Sequence, residues 1–527
     1  MDLLPSLVRL ALAFAPAESH ARAPQAAFPL LDSDREVRRL IILLHPRTTK
    51  PKNRRFPLAV LSLAAVLEGR EEYAIVDGNV DPNPGSTIDQ IAQQGGVMAL
   101  AVSVMPGPQL RAAIPLCREF RARYPRVPII WGGYFPSLYT GATLNATYVD
   151  YVVRGQGEET FLDLIEALKM RRPLDSVSGL SFKNDFGFPV HNPERPLRSP
   201  NDFPWLPYDR LADAEKYIAA TFLGRRTAVH QTSIGCPFRC NFCGVVSLYD
   251  GRTRTEAPER TAAVLESLQQ RFGIDAVQFY DNNFFLNEGR TVELCERILP
   301  LRLRWWCEGR IDTVLRYSDE TFRLLQRAGA AMIFFGAESG SNVVLEEMNK
   351  RITADQTLDL AARIRRFGIV PEFSFVIGNP RDPERDARET FAFIHRIKKV
   401  NPDAEIIVQH YIPTPGPDGM YGKVEQEISF PSTPDEWASE RWYNYSIRRD
   451  PRLPWLSRRL KRHIDNFELV ISSRWPTIQD IHLPGWARVM LKVLSSWRFA
   501  LRFYRWPFEL AWAQRLAALR KPRMESL

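Results

Sequence analysis

The chain reads as an α/β protein in three main parts. These are a doubly wound parallel sheet over residues 36–172, a partial (β/α)6 barrel over 223–430, and a mainly helical segment over 431–527. An arm at 1–35 and a linker at 173–222 complete the division. Three observations predict it. Five short apolar runs alternate with amphipathic stretches up to residue 168, and six more do so between 226 and 411. Beyond 431 the alternation gives way to arginines and tryptophans at helical spacing. At 527 residues the chain has room for two or three domains, and 45% hydrophobic content is ordinary for a globular protein.

The arm contains an apolar run at 3–15 that is short and lacks a basic leader, so it reads as an amphipathic segment rather than a signal peptide. Strands follow at 37–44, 73–76, 97–104, 127–131 and 149–153, with helices at 58–67, at 109–124 and from Glu158. The strand ends carry small or turn-forming residues: Asp77-Gly78-Asn79, Ser103 to Gly107, Gly132-Gly133 and Gly155-Gln156-Gly157. In a doubly wound, Rossmann-like sheet, ligands bind beyond the carboxyl ends of the strands, where these residues lie. Residues 173–208 are rich in Pro, Asn, Asp and Gly and read as a crossing linker with a small hairpin near 180–190.

From 226 the pattern resumes, with strands at 228–232, 276–280, 303–307, 331–335, 372–377 and 404–411 and helices such as 259–272 and 319–328. Six repeats suit a shortened relative of the TIM barrel, whose chemistry sits at the carboxyl ends of its strands. After the first strand comes Cys236-Pro-Phe-Arg-Cys240-Asn-Phe-Cys243. Three thiolates in one loop hold three irons of a [4Fe–4S] cluster and leave the fourth iron open. A zinc knuckle is the other reading, but no fourth ligand follows closely. The remaining cysteines, Cys117, Cys295 and Cys307, stand alone in apolar runs. They read as small buried hydrophobes in a reducing compartment.

The CxxxCxxC spacing, with Phe242 before the last cysteine, resembles the cluster loop of the radical S-adenosylmethionine (SAM) superfamily. Ser103-Val-Met-Pro-Gly107, Trp131-Gly-Gly-Tyr-Phe-Pro-Ser137 and Val153-Arg-Gly-Gln-Gly-Glu-Glu-Thr160 resemble the cobalamin-binding domain of its B12-dependent branch. That resemblance implies cobalamin contacts from Asp77, Ser103, Met105, Gly107, Gly132, Gly133, Phe135, Gly155, Gly157 and Glu158. Many B12 domains carry an Asp-x-His-x-x-Gly loop, which is absent here. His45, after the first strand, is either a cobalt ligand or an ordinary strand-end residue. In the barrel the resemblance implies a SAM site. Phe242 and the turn Asp281, Asn282 and Asn283 border it, with the turn at the amino group and Arg310 at the carboxylate. Glu338 and Ser339 would lie at the ribose or amino end, and Gly378 and Asn379 at the adenine. The segment 412–416 would border the substrate.

The activity implied is reductive cleavage of SAM to methionine and a 5′-deoxyadenosyl radical, which takes hydrogen from an unreactive carbon. In methylating members methylcobalamin then supplies the methyl group and a second SAM restores it. The resemblance names no further catalytic residue. A cyclase, oxidase or rearrangement enzyme with the same cofactors is the alternative, and a non-catalytic metal scaffold is another. A methylthiotransferase would need a second three-cysteine cluster in the N-terminal domain, which has only Cys117. The implied partners are a small, hydrophobic substrate and an external electron donor such as flavodoxin or ferredoxin, in the cytoplasm.

The net charge of +9 is unevenly placed: from Arg441 on there are 18 Lys and Arg against 6 Asp and Glu, so the rest of the chain carries −3. Seven of the twelve tryptophans lie there as well. Over 486–506, Arg488, Lys492, Ser495, Arg498, Arg502 and Arg505 fall on one helical face, with Val489, Leu491, Val493, Leu494, Trp497, Leu501 and Tyr504 opposite, and Pro507 restarts the helix. Such a helix suits peripheral contact with the inner face of a membrane, or a lid over the barrel mouth with its arginines solvated. No recognition motif for nucleic acid accompanies the charge.

Overall fold

The apolar runs of the first half fold into one sheet. Its strands are β1 (Leu40–His45), β2 (Glu72–Asp77), β3 (Val97–Ser103), β4 (Ile129–Gly132), β5 (Tyr151–Val153), β6 (Leu180–Lys183) and β7 (Pro189–His191). Their order is β2-β1-β3-β4-β5-β6-β7, parallel from β2 to β5 and antiparallel at β6 and β7. The computed structural model describes residues 39–49, 53–414, 422, 425–477 and 483–517. The expected arm at 1–35, residues 415–416 of the segment expected to border the substrate and the last ten residues of the helical segment 431–527 lie outside them.

β1 lies between β2 and β3 and is buried along Leu40–Leu44, as a parallel strand covered on both faces must be. The helix Leu58–Leu67 has the expected bounds. The helix Pro84–Gln93 was not legible from periodicity, because only Ile88 and Ala92 are buried. Its signal is local: Asn83 caps it by accepting from the Ser86 N–H, and Pro84 takes the first position. The hairpin expected in the 173–222 linker belongs to the first sheet, since β6 pairs with β5. Asn192 ties it down by donating to the carbonyls of Leu174 and Val177.

The barrel strands are β8 (Thr227–His230), β11 (Ala276–Phe279), β12 (Arg304–Gly309), β13 (Ala330–Glu338), β14 (Val370–Ile377) and β15 (Glu405–His410), all parallel and adjacent in that order. Between β8 and β11 lies a two-stranded ribbon of β9 (Ser233–Gly235) and β10 (Thr253–Thr255), which frames the cysteine loop. No alternation is legible there, because each strand is only three residues long.

Three glutamates lie in one row across the barrel: Glu308 on β12, Glu372 on β14 and Glu405 on β15, the first two separated by Phe334 of β13 and the last two side by side. Burial, then Asp281, pushes the Glu308 carboxyl up to about 7. Burial, then the facing Glu405, also holds Glu372 above the carboxylate range, although Trp306 Nε1 donates to it at 3.2 Å. Raised carboxyls stabilise the fold fully below their unfolded value and lose that contribution as pH rises through the folded value. Wild-type stability is therefore expected to decline as pH rises through neutrality, and Glu372→Gln to flatten the decline, as urea titrations at stepped pH would show. An unchanged slope would refute this account of the barrel interior.

The C-terminal segment is helical over Pro434–Trp437, Glu440–Ser446, Arg458–Arg474, Gly485–Ala500 and Phe508–Leu516. The barrel mouth is covered by residues 434–456. Tyr445 donates to the Pro413 carbonyl, Trp455 Nε1 to the Gly378 carbonyl at 3.1 Å, and Arg448 to Gln409 Oε1. The longer helices pack elsewhere, on the helix Pro383–Val400 and on β15, with Phe391 stacked on Phe467 at 3.8 Å.

The expectation for 486–506 is corrected in two respects. The helix ends at Ala500, where Arg502 and later Trp506 take left-handed backbone. Its basic face is solvated only in part: Lys492, Arg502 and Arg505 are exposed as expected, but Ser495 and Arg498 are buried, and on the opposite side Val489, Val493 and Trp497 are exposed. Arg498 pairs with Glu509 at 2.9 Å and donates to the carbonyls of Arg505 and Trp506. A guanidinium that is paired with a carboxylate and bonded to carbonyls of the turn between two helices has the partners it needs to be buried.

Candidate functional site

β8 delivers the chain to the ribbon, and Gly235 (φ 76°) makes the turn into the cysteine loop. A Cβ there would lie 2.2 Å from the Arg252 carbonyl, so only glycine fits. The loop is tied to the segment after β13: Asn241 donates to the Glu347 carbonyl at 2.9 Å, and Asn349 to the Arg239 carbonyl at 2.7 Å. Cys236, Cys240 and Cys243 thus share one loop at the carboxyl end of the barrel. Burial, the leading influence on both, raises the pKa of Cys236 and pushes that of Cys243 up to about 11. Two of the three are therefore poor thiolates on their own and need a bound cation to lose their protons. The other cysteines are core residues. Cys117 accepts from Trp131 Nε1, and burial pushes Cys117 and Cys295 up to about 12 and holds Cys307 well above the ordinary thiol range.

Two buried cations stand beside the loop. Arg310, at the end of β12, donates to Cys240 Sγ at 3.2 Å, to Asp312 at 3.0 Å and to the Lys350 carbonyl at 2.6 Å, and it stacks 3.7 Å over Phe238. Burial works against its charge, but Cys240 and Asp312 outweigh it. Lys350 pairs with Glu338 at 2.7 Å, both buried, and sits over Phe242. Burial again opposes the charge, and Glu338 overrides it. Glu338 has φ 63°, a strained backbone for a glutamate. Gly336 leaves room for the pair, since a Cβ there would lie 2.0 Å from Glu338 Oε1.

The expected SAM-contacting residues gather at the same strand ends, with different freedoms. Asp281 accepts from Thr232 Oγ1 at 2.9 Å and from Ser233 Oγ at 2.5 Å through one oxygen. Its other oxygen, both amide atoms of Asn283, and Asn379 Oδ1 are buried without a partner among the described residues. Buried polar atoms are rarely left so, and together they fit a polar ligand such as SAM. Asn282 is exposed. Ser339 is turned inward, donating to Asp386 at 2.8 Å, and the same carboxylate accepts from the N–H groups of Gly378 and Asn379. Ser339 therefore shapes the Gly378–Asn379 turn from behind.

On the first sheet, a cavity of ≈ 220 Å³ opens at the ends of β3, β4 and β5. Of the expected cobalamin residues, Ser103, Gly132, Gly133, Gly155, Gly157 and Glu158 line it. A Cβ on Gly133 (φ 94°) would lie 3.1 Å from Ser103 Oγ and 3.2 Å from Val104 N, so the wall is flat only because it is glycine. The cavity suits one heterocycle of a large cofactor, and the barrel's Gln231, Leu248 and Tyr249 close it. Four of the expected residues stand apart. Asp77 accepts from the Asn79 N–H, Met105 lies exposed, Gly107 begins the helix Pro108–Arg123, and Phe135 is core packed against Tyr139 and Trp437. The physical reason is that strand ends alternate in the direction they point, and only one side of each opens to the cavity. His45 is outside it as well. Burial lowers its pKa, and the Gln109 amide lies 3.3 Å from its ring.

The sequence does not point to three residues around the junction of the two halves. Tyr134, next to Gly133, lies against the residue after Cys243, so closely that a Cβ on Gly244 would be 1.9 Å from its hydroxyl. Arg448, with left-handed φ 52°, sits among Glu338, Tyr134, Tyr445 and Cys243. Lys350 completes the set. Only Tyr134 had a sequence signal, its place in the Gly-Gly stretch. Gly244→Ala should force the halves apart. Misplacement by an ångström costs on the order of 100-fold in coupling two reacting groups. The expected result is SAM cleavage with product formation reduced on the order of 10–100-fold, read as the ratio of 5′-deoxyadenosine to product. An unchanged ratio would show that this contact sets nothing.

Two family models match the chain. The B12 binding domain model matches residues 45–165 and the Radical SAM superfamily model residues 231–394. An uncharacterized methyltransferase of Pyrococcus horikoshii is 29% identical over 65% of this chain and 73% of its own length. The anaerobic magnesium-protoporphyrin IX monomethyl ester cyclase of Synechocystis is 25% identical over 74% of this chain and 73% of its own. Among solved structures, the cobalamin-dependent SAM radical enzyme OxsB with aqua-cobalamin bound shares the fold. It has a TM-score of 0.67 at 17% identity over 91% of this chain and 76% of that one.

Proposed function

The chain belongs to the cobalamin-dependent radical SAM enzymes, and from that premise we propose that it methylates an unactivated carbon of a small hydrophobic substrate. The observation that carries the reading is the contact of Tyr134 with Gly244, by which the wall of the cobalamin cavity rests on the cluster loop. When bound, the [4Fe–4S] cluster, SAM and cobalamin supply a carbon radical and a transferable methyl group. Cys236, Cys240 and Cys243 would hold the cluster. Asp281, Asn283 and Asn379 would bind SAM through their unpaired atoms, and Arg310 and Lys350 would balance the thiolates. Glycines 132, 133, 155 and 157 would receive cobalamin. Residues 434–456 cover the mouth and keep water from it, and Arg448 reaches in from them towards the substrate space.

The proposal extends to an external electron donor of the flavodoxin or ferredoxin type and to a cytoplasmic location with peripheral contact at the inner membrane face. Among the described residues no helix is long and apolar enough to cross a membrane. The likeness to the cyclase favours a second reading, ring formation without methyl transfer. One experiment tests both. The reconstituted protein is incubated with methyl-deuterated SAM, reductant and a panel of isoprenoid and tetrapyrrole compounds. Methylation predicts a product heavier by one labelled methyl, with 5′-deoxyadenosine and S-adenosylhomocysteine. A product of altered mass without label would replace methylation by ring formation. Failure to form 5′-deoxyadenosine under any condition would reject both.

A further inference from the structure

We infer that the C-terminal helices form a docking surface for a bilayer rich in anionic lipid. The surface begins with two short helices packed on each other. Ala487 and Leu491 of Gly485–Ala500 meet Ala513 of Phe508–Leu516 in a small buried seam. Gln514 fastens the second helix by donating to Ser472 and Ser473 of the helix Arg458–Arg474. Each helix keeps a second stripe bare. On the first, Trp486, Val489, Val493 and Trp497 follow helical spacing. On the second, Phe508, Trp512 and Leu516 do the same. Trp486 is 59% exposed and Trp512 64%. Leu501, Phe503 and Trp506 in the connecting turn are also exposed, and Phe503 stacks on Trp497. So many large apolar side chains on one short segment make a patch rather than scattered exposure.

Charge borders this patch. Lys492, Arg502 and Arg515 are exposed on the same helices and turn. Beside Trp506 opens a cleft of ≈ 670 Å³, walled by Arg388, Arg459, Arg462, Arg505 and His463, with Glu384 the acidic group among its lining. None of the four guanidiniums forms a salt bridge among the described residues. Free guanidiniums in a concave site suit phosphate oxygens, which they grip in pairs. Tryptophan rings set beside arginines match the boundary of a bilayer, where acyl chains meet phosphate headgroups.

Two other occupants fit less well. A second copy of the chain meeting this surface with its own would cover the apolar stripes, but the cleft lining it brings has four arginines to one carboxylate, Glu384. Nucleic acid would satisfy the arginines but leave the Val489, Val493 and Leu516 stripes uncovered. The arrangement also explains why Arg498 points inward: its turn presents Leu501, Phe503 and Trp506 outward. A surface of this kind would let the enzyme collect a lipid-dissolved substrate, but the inference does not rest on the reaction.

The test uses the full chain and needs no turnover. The protein is sedimented with vesicles of phosphatidylcholine alone, or of phosphatidylcholine with one part in three phosphatidylglycerol, at low and high sodium chloride. Binding is expected only to the anionic vesicles, reversed by salt. The triple variant Trp486→Ala/Trp497→Ala/Trp512→Ala should lose at least tenfold in partition coefficient. The triple variant Arg459→Ala/Arg462→Ala/Arg505→Ala should lose as much on anionic vesicles. Circular dichroism and unchanged SAM cleavage show that both variants are folded. Full-length protein left in the supernatant with anionic vesicles at low salt overturns the inference, as does wild-type binding by both variants. Self-association lost in the tryptophan variant, without vesicle binding, would reassign the patch to a second copy. Competition by inorganic phosphate beyond that of chloride at equal ionic strength would reassign the cleft to a soluble anion.

Discussion

Cys236→Ala, Cys240→Ala and Cys243→Ala each abolish the iron–sulfur chromophore and the cleavage of SAM together, whereas Cys117→Ala, Cys295→Ala and Cys307→Ala retain both. The expected contrast is close to all-or-none, because three thiolates hold three irons and no fourth protein ligand stands in reserve. The retained set differs by position in the fold. Cys117 lies under Trp131 in the first core, and Cys295 and Cys307 lie in the barrel core, all three almost wholly buried. Losing a buried sulfur costs about 1 kcal/mol of packing, which lowers stability without touching the loop. Iron content and 5′-deoxyadenosine formation, measured side by side on the six variants, check this. Loss of iron in Cys307→Ala would overturn the ligand assignment.

The second large effect is expected at Lys350. Lys350→Met takes from the buried Glu338 the cation bonded to it, leaving only Arg448 nearby, which should cost about 3–5 kcal/mol. The same change releases the segment that anchors the cysteine loop through Glu347 and Asn349, so iron retention should fall with stability. The double variant Lys350→Met/Glu338→Leu removes the stranded charge and should regain most of the lost stability while iron retention stays low. Chemical denaturation under anaerobic conditions measures the first and iron analysis the second. A single variant as stable as wild type would show that the pair is solvated in solution.

Much of the architecture was legible because it rests on periodicity. A strand buried on both faces, such as Leu40–Leu44, writes an apolar run, and the cysteine spacing writes the cluster loop. What periodicity does not write was missed. The helix Pro84–Gln93 depends on a cap and a proline. The ribbon β9–β10 is too short to alternate. Burial of Arg498 depends on the carbonyls of Arg505 and Trp506 in the turn beyond its helix, so one arginine of a face that reads as solvated is drawn inward. At the site, the strand ends were readable, but not which of their residues face the cavity. Phe135 and Gly133 are two positions apart in one conspicuous stretch, yet one is core and the other wall. Lys350 and Arg448 come from segments with no motif, and only the folded chain brings them to the cysteines.

The central claim is that one chain holds an iron–sulfur cluster and a corrinoid at adjoining sites. The most direct measurement is the absorption spectrum of the anaerobically reconstituted, cobalamin-supplemented protein after gel filtration, with metal analysis of the same fraction. The account predicts that iron–sulfur and corrinoid bands elute together with the protein, and that the iron–sulfur band alone is lost in Cys240→Ala. Zinc in place of iron, or a corrinoid that elutes free of the protein, would contradict it.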